Sequence, residues 1–215
     1  MKLLFRSLLA FLFLALTACS SMIYSGMESI GMPKRDIMIH YVKKAQQAQE
    51  ETKEQFKSAL EQFTVTTNFS GGDLETVYNK LNGEYEDSVE QSKNVRKRID
   101  KIKHVSGELF EEWKEETEQY SNPSLKRSSM QQLSETKRQY KQLINAMDKA
   151  ESKLEPVLTV FKDQVLFLKH NLNARAISSL KNQLNDIKSD VSTLIEAMER
   201  SINEANTFIS SMENK

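Results

Sequence analysis

The chain has 215 residues with only six Gly and three Pro, which leaves few places for the turns a strand-rich fold would need. Charged residues make up 28% and aromatic residues 8%, and the mean hydropathy is −0.56, a balance that favours helices burying a narrow stripe over a thick globular core. Lys2 and Arg6 fall in residues 1–18 with no acid; without them 28 basic residues face 30 acidic ones, and a balance of −2 gives no general pull toward nucleic acid or anionic lipid.

Lys2 and Arg6 make a charged start, residues 8–16 are an unbroken apolar run, and Thr17 and Ala18 are small residues before Cys19. That is the order of an export signal. A bilayer span needs about 20 apolar residues, whereas Arg6 and Cys19 bracket only twelve positions. Leu16-Thr17-Ala18-Cys19 resembles the bacterial lipobox, which implies cleavage before Cys19 after its thiol has taken a diacylglyceryl group, with the new amino terminus acylated as well. Two or three acyl chains hold a protein firmly to a membrane where one does so marginally. Ser20 follows, where lipoproteins kept at the inner membrane typically carry Asp, so the same resemblance points to the outer membrane, facing the periplasm. Cys19 is the sole cysteine, so no intramolecular disulfide can form. Residues 20–32, with Gly26, Gly31 and several Met, read as a flexible or membrane-skimming tether closed by Pro33.

Residues 33–215 read as a helical rod. Between Pro33 and a break at residues 67–73, Met38, Val42, Ala45, Thr52, Phe56, Ala59 and Phe63 recur at helical spacing. Asp73 stands where it would cap the next helix. That helix carries Leu74, Tyr78, Leu81, Tyr85, Val95, Ile99, Ile102, Leu109, Trp113 and Tyr120 on a four-three alternation, with Ser88, Ser92 and Ser106 as weak positions. The phase runs unchanged through Gly83 and Gly107, so one helix is expected despite a cost of about 1 kcal/mol for each Gly. Trp113 and Tyr120 are expected in the seam.

The next turn is predicted at residues 121–123, with Asn122 as cap and Pro123 at the first helical position. Leu133, Tyr140, Met147, Leu154, Phe161 and Leu168 then repeat every seven residues with Leu143, Ala150 and Val157 beside them, and Pro156 should kink this third helix. After a turn at 171–173, Ile177, Leu184, Val191, Met198, Ala205 and Met212 repeat at seven, accompanied by Leu180, Ile187, Leu194 and Phe208. The expected fold is all-α: an elongated antiparallel bundle or coiled coil of four long helices, each about 50 to 70 Å. Pairing about the last turn should bring Lys181 near Asp163 and Lys153 near Asp190, and about the first turn Glu50 and Glu51 near Glu90.

His40, His104 and His170 are scattered, and no phosphate-cradling Gly loop, nucleophile elbow or His-Glu-x-x-His stands in the sequence. The expectation is therefore no enzyme, no cofactor and no metal. The basic block Lys93, Arg96, Lys97, Arg98, Lys101 and Lys103 is followed at once by acidic residues 108–118. Such alternating blocks on long helices set register with neighbours, and no nucleic-acid partner is expected.

Lys34-Arg35-Asp36-Ile37, residues 54–63 (Glu-Gln-Phe-Lys-Ser-Ala-Leu-Glu-Gln-Phe) and residues 163–174 (Asp-Gln-Val-Leu-Phe-Leu-Lys-His-Asn-Leu-Asn-Ala) resemble a family of Gram-negative bacterial lipoproteins known only as domain of unknown function 2959. The resemblance covers essentially the whole chain after the signal. It implies an envelope location and a helical architecture, and it carries over no catalytic or binding residues.

The leading expectation is a lipid-anchored periplasmic scaffold or adaptor that meets another envelope protein or a second copy of itself through its coiled coil. The alternative is a bundle that holds a lipid or small apolar ligand in a cavity lined by Ala45, Thr52 and Ala59. An envelope hydrolase is disfavoured for want of a nucleophile. With Cys19 at the membrane, an up-down-up-down chain carries two turns to its far end, where Phe69, Lys169, His170, Asn171, Asn173 and Arg175 form the candidate partner-binding cluster. Helix capping is the competing role for the Asn residues.

Overall fold

The computed structural model describes residues 33–213; the signal segment, Cys19 and the tether lie outside them. Five helices follow in order: α1 (Lys34–Thr67), α2 (Leu74–Glu118), α3 (Pro123–Glu151), α4 (Leu154–His170) and α5 (Ala174–Glu213). α3 and α4 follow one another as a single broken rod, so the chain makes four antiparallel rods, and the expected all-α bundle holds. Each rod packs on its two neighbours: α1 on α2 and α5, α2 on α3 and α4, and both α3 and α4 on α5.

Local chemistry explains where the rods begin and end. Gly71 and Gly72 take φ of 150° and 118°, values that a Cβ disfavours, and this lets the first turn reverse. Asp73 then caps α2, accepting from the Glu75 amide at 3.0 Å and the Thr76 hydroxyl at 2.5 Å. Asn122 caps α3 through the amides of Ser124 and Leu125 at 2.9 and 3.3 Å, with Pro123 where its missing N–H is harmless.

The break expected from Pro156 falls upstream of it, at Ser152 and Lys153. A proline cannot donate to the carbonyl four residues back, here that of Ser152, and its ring crowds that carbonyl, so the chain parts there. α2, by contrast, runs unbroken through Gly83 and Gly107.

Most predicted seam positions are buried, while Leu74, Tyr78, Tyr85, Tyr140 and Leu184 are only partly covered. Met38, Val42, Ala45, Thr52, Phe56, Ala59 and Phe63 of α1 have no exposure, and Met147, Leu154, Phe161, Leu168, Leu180, Ile187, Val191, Leu194, Met198 and Ala205 are likewise buried opposite them. The Phe161 ring lies 6.5 Å from Phe56 and 6.1 Å from Phe63, so three aromatics close the middle of the bundle. Burial of each such side chain stabilises by roughly 1.5–3 kcal/mol. The weak positions are satisfied within their own helix: Ser88 donates to the Glu84 carbonyl, Ser92 to that of Ser88 and Ser106 to that of Lys103.

Ala45, Thr52 and Ala59 are fully buried and let α1 and α2 approach until Thr52 Oγ1 lies 3.5 Å from the Gln91 carbonyl oxygen, because a short side chain leaves room for a backbone. Lys181–Asp163 and Lys153–Asp190 do not form ion pairs among the described residues, and between those rods Ser211 donates to Gln139 at 2.8 Å.

The rods do not stop at one height. α1 begins beside α2 at Glu112, which Lys34 meets at 3.0 Å, and α5 ends beside α3 near Gln139. Arg35 donates to the Met212 carbonyl and Lys43 pairs with Glu213 at 2.7 Å, which satisfies the open carbonyls and negative end of α5. Beyond that level, residues 113–136 of α2 and α3 stand as a two-helix hairpin. Its seam is made of hydroxyls: Trp113 Nε1 donates to Ser129 Oγ at 2.9 Å, and Thr117 and Ser129 share a hydrogen bond of 2.9 Å.

Candidate functional site

Large apolar side chains that remain exposed among the described residues sit at the two ends of the rod: Val65, Leu166, Phe167 and Leu172 at one, Tyr120, Leu125 and Met130 at the other. The sides between them are polar and laced with ion pairs.

The first end holds the cluster expected from sequence, and the structure divides it. Asn173 caps α5, accepting from the amides of Arg175 at 3.0 Å and Ala176 at 3.1 Å. Asn171 donates to the Phe167 carbonyl at 2.9 Å and so closes α4. Both side chains thus hydrogen-bond helix ends. Phe69 is half-buried, packed against the core and 3.8 Å from the position a Cβ on Gly72 would take. Lys169, His170 and Arg175 are exposed and stay open to a partner.

Leu166, Phe167 and Leu172 were not in the expected cluster. Their signal is in the sequence all the same: residues 165–168 are four consecutive apolar residues, and a helix can turn only some of them inward. Val165 and Leu168 take the seam, which leaves Leu166 and Phe167 outside beside Lys169 and His170. The resulting surface combines apolar area with cations.

At the other end, Trp113 is half-buried where full burial was expected, and Tyr120 is 45% exposed where the seam was expected to cover it. α1 and α5 have stopped near the level of Trp113, and α2 itself ends at Glu118, so Tyr120 stands in the turn beyond it. Lys114, Thr117, Glu118, Met130, Leu133 and Lys137 line a shallow hollow of about 250 Å³ on the outer flank of this hairpin. Glu118 pairs with Lys126 at 2.5 Å across the turn, and that hydrogen bond holds its carboxyl below the usual range.

The basic block of α2 is used in register. Arg96 pairs with Glu151 at 2.7 Å, Lys103 with Asp148 at 2.9 Å, and Lys101 lies 5.7 Å from the centre of the Tyr41 ring. Of the histidines, His40 sits edge-on to Tyr41 at 5.6 Å, His104 lies 3.4 Å from Glu108, and His170 is exposed. Among the described residues no three His, Cys, Asp or Glu come together as a metal site. No described helix is long and apolar enough to cross a membrane.

A family described as a protein of unknown function (DUF2959) matches residues 23–212, so the match starts before α1 and runs almost to the end of α5. No curated protein and no solved structure matches the chain.

Proposed function

Because the chain belongs to the DUF2959 family, whose description assigns no activity, we propose a role from its architecture: a lipid-anchored scaffold or adaptor of the bacterial cell envelope, held to the outer membrane at Cys19 and facing the periplasm. The observation that carries this reading is the confinement of exposed apolar side chains to the two ends of a polar rod. A helical rod of this kind spans distance and presents its ends. Support for the anchor comes from the signal order that ends at Cys19.

The end that α1 enters would then face the membrane, and Leu166, Phe167, Leu172, Lys169, His170 and Arg175 would meet an envelope protein with an apolar patch bordered by acids. Capture by crosslinking from position 167 in intact cells tests this. His170→Ala with Arg175→Ala, and separately Phe167→Ser, should leave helicity and thermal stability nearly unchanged while weakening capture. Loss of capture only in step with loss of folding would reject the end as a binding surface. Mass spectrometry should find acyl mass on Cys19, and Cys19→Ala should abolish it; an unmodified mature chain free in the periplasm would reject the anchor.

A further inference from the structure

The end of the rod that α1 enters is also the end from which the hairpin projects. Lys34 meets Glu112 of α2 at 3.0 Å, and α2 continues to Glu118 before the turn that leads into α3 at Pro123. Six residues of helix rise about 9 Å, so this turn stands beyond the level at which the chain enters the bundle. α5 ends at Glu213 beside Lys43, so among the described residues the hairpin alone reaches that far.

Its tip differs from the helices behind it. Tyr120 stands past the end of α2 at 45% exposure, and Leu125 lies in the first turn of α3 at 55%. Lys126 and Arg127 follow, and residues 119–134 contain no acid, although Glu115, Glu116 and Glu118 come just before them. Glu118 is taken up by Lys126 at 2.5 Å, while Arg127 is exposed. An aromatic ring, a leucine and a guanidinium on one tip suit the boundary of a bilayer, where rings and cations sit at headgroup depth and aliphatic side chains just below.

Chain length gives the reason to commit to a lipid surface as the occupant. Cys19 is fourteen residues from Pro33, and that many residues reach at most about 50 Å whatever path they take. With Cys19 in the lipid, the entry to α1 is held within that distance of the surface. A rod standing on this end meets the surface tip first, because the tip projects beyond the entry.

We propose that the tip of the α2–α3 hairpin docks on the lipid surface that holds Cys19, with Tyr120 and Leu125 entering the interface and Arg127 meeting headgroup phosphates. The inference rests on the lipid anchor proposed above and adds a second contact to it. Two contacts set the tilt of a rod that one attachment point leaves free, and they direct Phe167 and its neighbours away from the membrane.

The test uses the mature chain in vesicles of phosphatidylethanolamine and phosphatidylglycerol, with a fluorescent maleimide on Ser124→Cys at the tip or on Leu172→Cys at the opposite end. Adding doxyl-labelled phosphatidylcholine should quench the dye at 124 at least roughly two-fold more than the dye at 172, since only the tip lies in the interface. Tyr120→Ser with Leu125→Ser should remove that difference and leave helicity unchanged. Weak quenching at both ends overturns the proposal by leaving the tip in water, and strong quenching at both overturns it by laying the rod flat. A difference that survives the double substitution overturns it as well. The anchor has its own readout, because a Cys19 thiol already in a thioether takes no maleimide and carries the parent chain with floating vesicles. Labelling of the parent chain rejects the anchor and this proposal together, whereas an unlabelled parent that floats, with position 124 unquenched, overturns the docking alone.

Discussion

The four-rod section and the two-rod hairpin share one heptad phase and differ in what that phase achieves. In the section bounded by Glu112 and Gln139, seam positions hold Phe, Leu, Met and Ala with almost no exposure. In the hairpin that phase ends at a half-buried Trp113 beside a buried hydroxyl pair, Thr117 and Ser129, and Tyr120 stands exposed past the end of α2. Periodicity selects a face; the number of rods at that height decides whether the face becomes core. Side chains of equal hydrophobicity therefore differ in what they contribute to stability according to height.

The sharpest contrast is Phe161→Ala against Tyr120→Ala. Phe161 is 1% exposed between Phe56 and Phe63, and its truncation should cost about 3–5 kcal/mol by chemical denaturation. Tyr120→Ala, with no packing of that kind to lose, should fall within about 0.5 kcal/mol. Equal effects would mean that the hairpin face is as well packed as the bundle centre.

Ser129→Ala comes next. It leaves the Trp113 indole N–H without its acceptor, while the Thr117 hydroxyl keeps its bond to the Trp113 carbonyl, and a buried donor left unsatisfied costs about 1–3 kcal/mol. Urea titration followed by Trp113 emission would read it. An unchanged midpoint would show that water replaces Ser129 readily and that the hydroxyl seam is wet.

The caps give a smaller effect and a pH signature. Asn122→Ala should cost about 1 kcal/mol at any pH, because an amide does not titrate. Asp73 behaves differently, since the Thr76 hydroxyl first, with help from the Glu75 and Thr76 amides, holds its carboxyl below the ordinary value of 3.8. A carboxyl lowered in the folded state contributes stability that is complete above its unfolded value and fades as pH falls through the folded one. Asp73→Asn should therefore flatten the acid limb of the stability profile below about pH 4 while leaving neutral stability nearly unchanged. An acid limb identical to that of the parent would remove Asp73 from the account.

The ion pairs Arg96–Glu151 and Lys103–Asp148 should matter least, at about 0–1 kcal/mol each and less in high salt, because the Arg96 and Lys103 side chains remain about half exposed. Arg96→Gln with Lys103→Gln measured at low and high salt checks this. A loss that salt leaves untouched would make the pairs part of the packing rather than of the surface.

Much of this protein was legible in residue order alone. Six Gly and three Pro in 215 residues, the caps Asp73 and Asn122, the turn at 171–173 and four seams in phase were enough for four antiparallel rods, because helix period and capping are local properties of a chain. The break near Pro156 was legible for the same reason. Topology places Lys169, His170 and Arg175 exposed at one end of the rod, while the exposure of Leu166 and Phe167 was hidden inside an apolar run that looked like seam throughout. Only the tertiary structure decided at what height each rod stops, and so that Trp113 is half-covered, that Asn171 and Asn173 hydrogen-bond helix ends, and that Ala45, Thr52 and Ala59 bring α1 and α2 close. Burial depends on which neighbours are present at a given level, and neighbours far apart in sequence are set by the summed packing of all four rods, which no local pattern encodes.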